Sequence, residues 1–147
     1  MRSLVAALSL ALTVSAGPTL ATTEAALDAS FGSALNQVRA QAGLPSLRSD
    51  RRLEAAAQAY AEEMARTGHA QHVGLDGSTQ ITRASATGCR TRFVGENIAW
   101  GQRTAQATFD GWMASTGHRA NMMGPGYGAF GLGQAGGMWV ILFADRC

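Results

Sequence analysis

The chain has 147 residues, 46% of them hydrophobic and 15% charged, with a formal net charge of +2. That length supports one domain with a real core, and that composition excludes a disordered chain. All twelve basic residues are arginine, so a P-loop lysine, a Schiff-base lysine and a kinase-type phosphate lysine are absent. Apart from Arg51-Arg52 and Arg90-Thr91-Arg92 the arginines are scattered, and no nucleic-acid partner is expected, because that footprint needs basic residues clustered on one face.

Residues 1–21 read as a secretory signal. Arg2 supplies the positive head, residues 4–14 form an uncharged apolar run, and Thr19-Leu20-Ala21 ends in a small residue suited to cleavage. Val14-Ser15-Ala16 offers a second cut. The run is shorter than the about 20 residues a membrane-spanning helix needs. The expectation is a secreted or periplasmic mature chain, residues 22–147, forming one domain without a membrane span. In that compartment Cys89 and Cys147, the only two cysteines, are expected to pair. A catalytic cysteine is the weaker alternative, since neither has a histidine close in sequence.

The spacing of Leu27, Phe31, Ala34, Leu35 and Val38 predicts a helix over 22–42, capped by Thr22 or Thr23 and stopped by Gly43 and Pro45. Residues 44–47 are an extended link. Asp50 caps a second helix with Leu53, Ala56, Ala57, Tyr60, Ala61 and Met64 on one face, ended by Gly68. Residues 68–77 form a loop holding His69 and His72. Ser78 caps a short helix over 79–87. Thr104 caps a further helix bearing Phe109, Trp112 and Met113, which Ser115-Thr116-Gly117 breaks; one more turn is expected over 119–123. Gly136-Gly137 is a two-residue hairpin signal, and residues 138–144 are apolar on both alternating faces. A strand buried on both sides needs a layer above and a layer below. The fold class expected is therefore α+β, a three-layer α-β-α sandwich around a central antiparallel sheet.

Glu96 is a lone carboxylate in the small and apolar run Gly95-Glu96-Asn97-Ile98-Ala99-Trp100-Gly101. A buried charge requires a partner, so Glu96 faces a polar cleft or a cation. The chain has three histidines, His69, His72 and His118. His69 is best explained as a solvated loop residue, with no HExxH pattern around it. His72, Glu96 and His118 make a workable metal set and an equally workable acid–base set. Spacing alone does not separate either from three independent structural residues. Gly126-x-Gly128-x-x-Gly131 matches the dinucleotide fingerprint but lacks the strand before it and the helix after it, so close strand packing is the better account. No GxSxG elbow is present.

The ordered series Leu35-Asn36-x-x-Arg39, Leu53-x-x-Ala56-Ala57, His72, Asp76-Gly77, Arg83-Ala84, Gly95-Glu96-Asn97-Ile98-Ala99, Trp112-Met113-x-Ser115, Gly117-His118-Arg119-Ala120-Asn121 and Gly131-x-Gly133 with Trp139 resembles the CAP (SCP-like) superfamily, in its bacterial branch. Cysteine-rich secretory proteins, venom antigens and plant pathogenesis-related proteins belong to it. The resemblance implies an α-β-α sandwich and secretion. It also implies a shallow cavity in which two histidines and two acidic residues can hold a divalent cation such as zinc. His72, Glu96 and His118 match three of those positions. Ser115 stands where the second acid usually follows the tryptophan, which implies weak metal binding and a fourth position left to water. Asn97 and Arg119 match motif positions whose expected role is bracing the cavity loops.

For function, with no activated nucleophile evident, the expectation is a non-catalytic binding module whose His72, Glu96, His118, Asn97 and Ser115 site recognises a lipid, an envelope component or a protein. A divalent cation is optional, no organic cofactor is expected, and the chain is expected to be a monomer. The alternatives are a zinc-assisted hydrolase, with His72 and His118 holding zinc and Glu96 as ligand or base, and a purely structural cluster.

Overall fold

The structure, a computed structural model, describes residues 20–147. Most of the segment read as a secretory signal lies outside the described residues. Five helices and four strands follow in the order α1 (Leu20–Gln41), β1 (Arg48–Ser49), α2 (Arg51–Thr67), α3 (Gln80–Ala86), β2 (Val94–Trp100), α4 (Ala105–Ala114), α5 (Thr116–Met122), β3 (Ala129–Ala135) and β4 (Met138–Ala144). The strands form one sheet in the order β1-β3-β4-β2, with β1 parallel to β3 and the other pairs antiparallel.

The β3–β4 hairpin sits at the centre, as its sequence requires. Gly136 and Gly137 take φ values of 54° and 80°, which closes a two-residue turn and sets Ala135 opposite Met138. Side chains of β4 then alternate between two cores. Val140, Leu142 and Ala144 join Leu53, Ala57, Tyr60 and Met64 of α2 and Ala84 of α3. Trp139, Ile141 and Phe143 join Phe31 and Leu35 of α1, Phe109 and Trp112 of α4 and Met122 of α5. The sandwich therefore has α2 and α3 on one face and α1, α4 and α5 on the other.

The glycines of β3 explain how closely these layers approach. A Cβ on Gly131 would collide with the α2 backbone at Leu53–Glu54, and one on Gly133 with the backbone at Ala57–Gln58. The apparent dinucleotide motif is thus in part a packing device: Gly131 makes room for a helix.

Helix boundaries follow their caps. Asp50 accepts from Arg52 N at α2, Gly68 closes that helix at φ 72°, and Thr104 accepts from Ala107 N at α4. Four expectations shift. Helix α1 begins at Leu20, so Thr22 and Thr23 lie inside it rather than capping its start. The cap of α3 is Thr79 rather than Ser78, because Thr79 and Thr82 form a reciprocal capping box. The break after α4 is the single extended residue Ser115, and α5 starts at Thr116, so Gly117 and His118 are helical. Residues 94–100, which contain most of the Glu96 run and were assigned no element from sequence, form an edge strand paired along its whole length with β4. Cys89 and Cys147 form a disulfide that spans 58 residues.

Candidate functional site

Because side chains alternate along a strand, adjacent residues of β2 face opposite layers. Glu96 points toward α2 and α3, and Asn97 toward α5. β2 is an edge strand of the sheet.

On the α3 side, Glu96 is 5% exposed and both carboxylate oxygens are engaged. Oε1 lies 2.8 Å from His72 Nδ1, and Oε2 accepts from Arg83 Nη2 at 2.6 Å. An ionised carboxylate only accepts, so this contact places the proton of a neutral His72 ring on Nδ1 and leaves Nε2 directed away. The His72 side chain is 60% exposed. Arg83 also donates to the backbone carbonyls of His72 (3.1 Å) and Ser78 (3.0 Å), pinning both ends of the 72–78 loop. Its guanidinium carbon lies 3.5 Å from the centroid of the Tyr60 ring, and the Tyr60 hydroxyl donates to Gln71 O. Burial raises the Tyr60 pKa. Tyr60, expected as a plain core residue, therefore also seats the site's cation.

On the α5 side, Asn97 is fully buried and donates to His118 O at 3.0 Å. Asn121 Nδ2 donates to Asn97 Oδ1 (2.9 Å) and Glu96 O (3.1 Å), and Tyr127 reaches Asn121 Oδ1 at 3.4 Å. Gly95 leaves the space for that tyrosine hydroxyl. Arg39, fully buried, donates to the carbonyls of Pro45, Met122 and Gly124 and so fastens the C-terminal end of α5 to α1. His118 is half-buried. Its pKa is lowered, first by burial and then by the charge of His72.

His72 and Glu96 thus meet at the β2 edge, and Asn97 and Asn121 tie the α5 backbone at His118 to the same strand from the other layer. Asn97 holds His118 from behind rather than facing solvent. Ser115 is half-buried and makes no side-chain cap, its N–H donating to Trp112 O. Arg119 is exposed, and its side chain makes no hydrogen bond or ion pair among the described residues; Asn121 and Arg39 brace α5 instead. His69 Nε2 donates to Val73 O, 3.1 Å away, inside its own loop. The partner of Glu96 was open to inference: a buried carboxylate demands a cation, and Arg83 is the only charged residue of α3.

A four-stranded sheet between two helical layers, with a carboxylate-backed histidine at one edge, defines an α-β-α sandwich of the SCP type. The sequence model of the cysteine-rich secretory protein family, CAP, matches residues 33–137. The chain belongs to that family. It is 30% identical over 113 residues to the uncharacterised protein YkwD of Bacillus subtilis, a match that covers 76% of this chain and 44% of that one. It thus spans less than half the length of that relative. Among solved structures, an extracellular SCP-domain protein of Bacillus anthracis superposes with a TM-score of 0.80 at 22% identity, over 88% of this chain and 45% of the other. An outer surface protein of Borrelia burgdorferi gives 0.71 at 21% identity, over 81% and 92%. A cysteine-rich secretory protein of Staphylococcus aureus gives 0.70 at 16%, over 84% and 39%. No helix among the described residues is long and apolar enough to cross a membrane.

Proposed function

We propose that this chain is an exported binding module whose recognition site is the β2 edge between His72 and His118. The observation that carries this reading is the double engagement of Glu96 by His72 and Arg83. A carboxylate buried and satisfied in this way orients an imidazole; it does not wait for a proton. The extracellular and outer-surface neighbours support the exported setting. Val73 and Leu75, 53% and 64% exposed on the loop that carries His72, favour an envelope component with an apolar part as ligand.

A divalent cation fits this donor set as an auxiliary. Metal-bound histidines commonly give their other ring N–H to a carboxylate, as His72 does. Among the described residues, however, no three His, Cys, Asp or Glu side chains are grouped to hold an ion. His72, through Nε2, and His118 would hold zinc with water at the remaining positions, and Glu96 would act behind His72 rather than as a third ligand. Bound there, the cation would supply a positive point for an anionic or carbonyl group of the ligand.

Zinc calorimetry on the parent protein, His72→Ala and His118→Ala tests the reading. One weak site is expected in the parent, lost in both variants, and weakened about tenfold in Glu96→Gln. Equal heats in all four proteins would overturn it. A zinc-dependent turnover of peptide, ester or phosphodiester substrates that Glu96→Gln abolishes would replace it with the hydrolase alternative. A melting point indifferent to zinc and chelator would favour the purely structural one.

A further inference from the structure

An open groove of about 580 Å³ runs along the outer flank of α3 beside the Cys89–Cys147 disulfide. That volume suits a small ligand. Ile81 and Ser85 of α3 line one side, and Arg90, Arg92 and Arg146 line the other. Arg83, which reaches Glu96 from the inner side of α3, does not line it, so the groove is separate from the histidine site.

Charge is concentrated here. Arg92 Nε donates to Asp145 Oδ2 at 2.9 Å. Thr91 and then Arg92 hold the Asp145 carboxyl well below the usual carboxylate range. Arg90 and Arg146 are exposed and have no carboxylate partner among the described residues. Three guanidiniums therefore line the groove, and one of them, that of Arg92, is paired with the carboxylate of Asp145. The Ser85 hydroxyl is exposed and has no partner among the described residues, so a donor is free beside the cations. Ile81, 40% exposed, adds an apolar wall continuous with the disulfide.

Guanidinium forks match the oxygens of a tetrahedral anion and hold them by paired charge-assisted hydrogen bonds. The geometry points to a binding site for a small soluble phosphate ester, its phosphate between Arg90, Arg146 and Ser85 and its apolar part against Ile81. This site is independent of the role proposed for His72 and His118.

The test uses phenyl phosphate, inorganic phosphate and anionic phospholipid vesicles as probes at low ionic strength. Binding is followed through the arginine side-chain N–H resonances. Phenyl phosphate should saturate, shift Arg90, Arg92 and Arg146 selectively among the twelve arginines, and bind several-fold tighter than inorganic phosphate. The Arg90→Gln/Arg146→Gln variant should weaken it at least tenfold. Ser85→Glu, which keeps both arginines, should do the same, and Ile81→Ser should erase the preference for the phenyl ester. Shifts spread over all arginines, an affinity unchanged in both groove variants, or binding to vesicles but not to phenyl phosphate would overturn the proposal.

Discussion

Arg83→Met keeps a long apolar side chain on α3 but removes the guanidinium that meets Glu96. The Glu96 side chain is 1% exposed and would keep only His72 as a partner. Stripping one member from a buried ion pair costs about 3–5 kcal/mol, chiefly because a charge is left uncompensated. Loss of the cation over the Tyr60 ring adds about 1 kcal/mol, and the surviving His72 contact offsets a similar amount. The net expectation is a loss of about 4 kcal/mol. At about 3 °C per kcal/mol for a domain of this size, the melting point should fall by about 10 °C. Urea unfolding, with an unchanged m-value as the check on two-state behaviour, measures it. The double variant Arg83→Met/Glu96→Met removes both charges together and should recover at least about 2 kcal/mol relative to the sum of the single changes. A single-variant loss under about 1 kcal/mol, or strictly additive costs, would refute the view that Arg83 is the counter-charge that lets Glu96 be buried.

Other expectations follow from separate parts of the fold. Replacing Cys89 and Cys147 by alanine opens a link spanning 58 residues, and the chain-entropy account sets the cost at about 4 kcal/mol, read by denaturant midpoint. Gly131→Ala should lose about 3 kcal/mol or more, because its Cβ meets helix backbone that cannot yield, whereas Gly111→Ala, facing open space on α4, should gain up to about 1 kcal/mol. The folded-state pKa of His118 lies below its ordinary value of 6.5, so between those two pH values the unfolded chain binds more protons. Stability should therefore fall as pH drops below 6.5, level off below the folded pKa, and fall less in His118→Gln. Urea midpoints at about pH 7.5 and 5.5 decide it, and an identical drop in both proteins would contradict it.

Much of the architecture was legible because its determinants are local. Asp50, Thr104 and the Gly136-Gly137 pair act on backbone within a turn of themselves, and the two-faced burial of β4 follows directly from its unbroken apolar run. The strand character of β2 was not legible. Its glycine, carboxylate and amide have low strand propensity and hide the alternation, and they are tolerated only because each meets a particular partner across a layer. The contact of His72 with Glu96 was anticipated as part of a set with His118, but not its construction. Arg83 and Asn121, which hold the acid and the helix carrying His118, act through contacts 13 and 25 residues distant in sequence. Gly117 carries a helix penalty of about 1 kcal/mol, and tertiary packing of α5 overrides it.

The proposed recognition site requires His72 and His118 to approach one another around the free edge of β2. Proton NMR of the histidine rings tests that most directly, with His118 followed through its titration in the parent and in His72→Gln. The parent midpoint should lie below 6.5 and rise when the His72 charge is removed, yet stay short of the ordinary value, because burial remains. A His118 midpoint unmoved by the substitution would place the two imidazoles in separate environments and contradict the account.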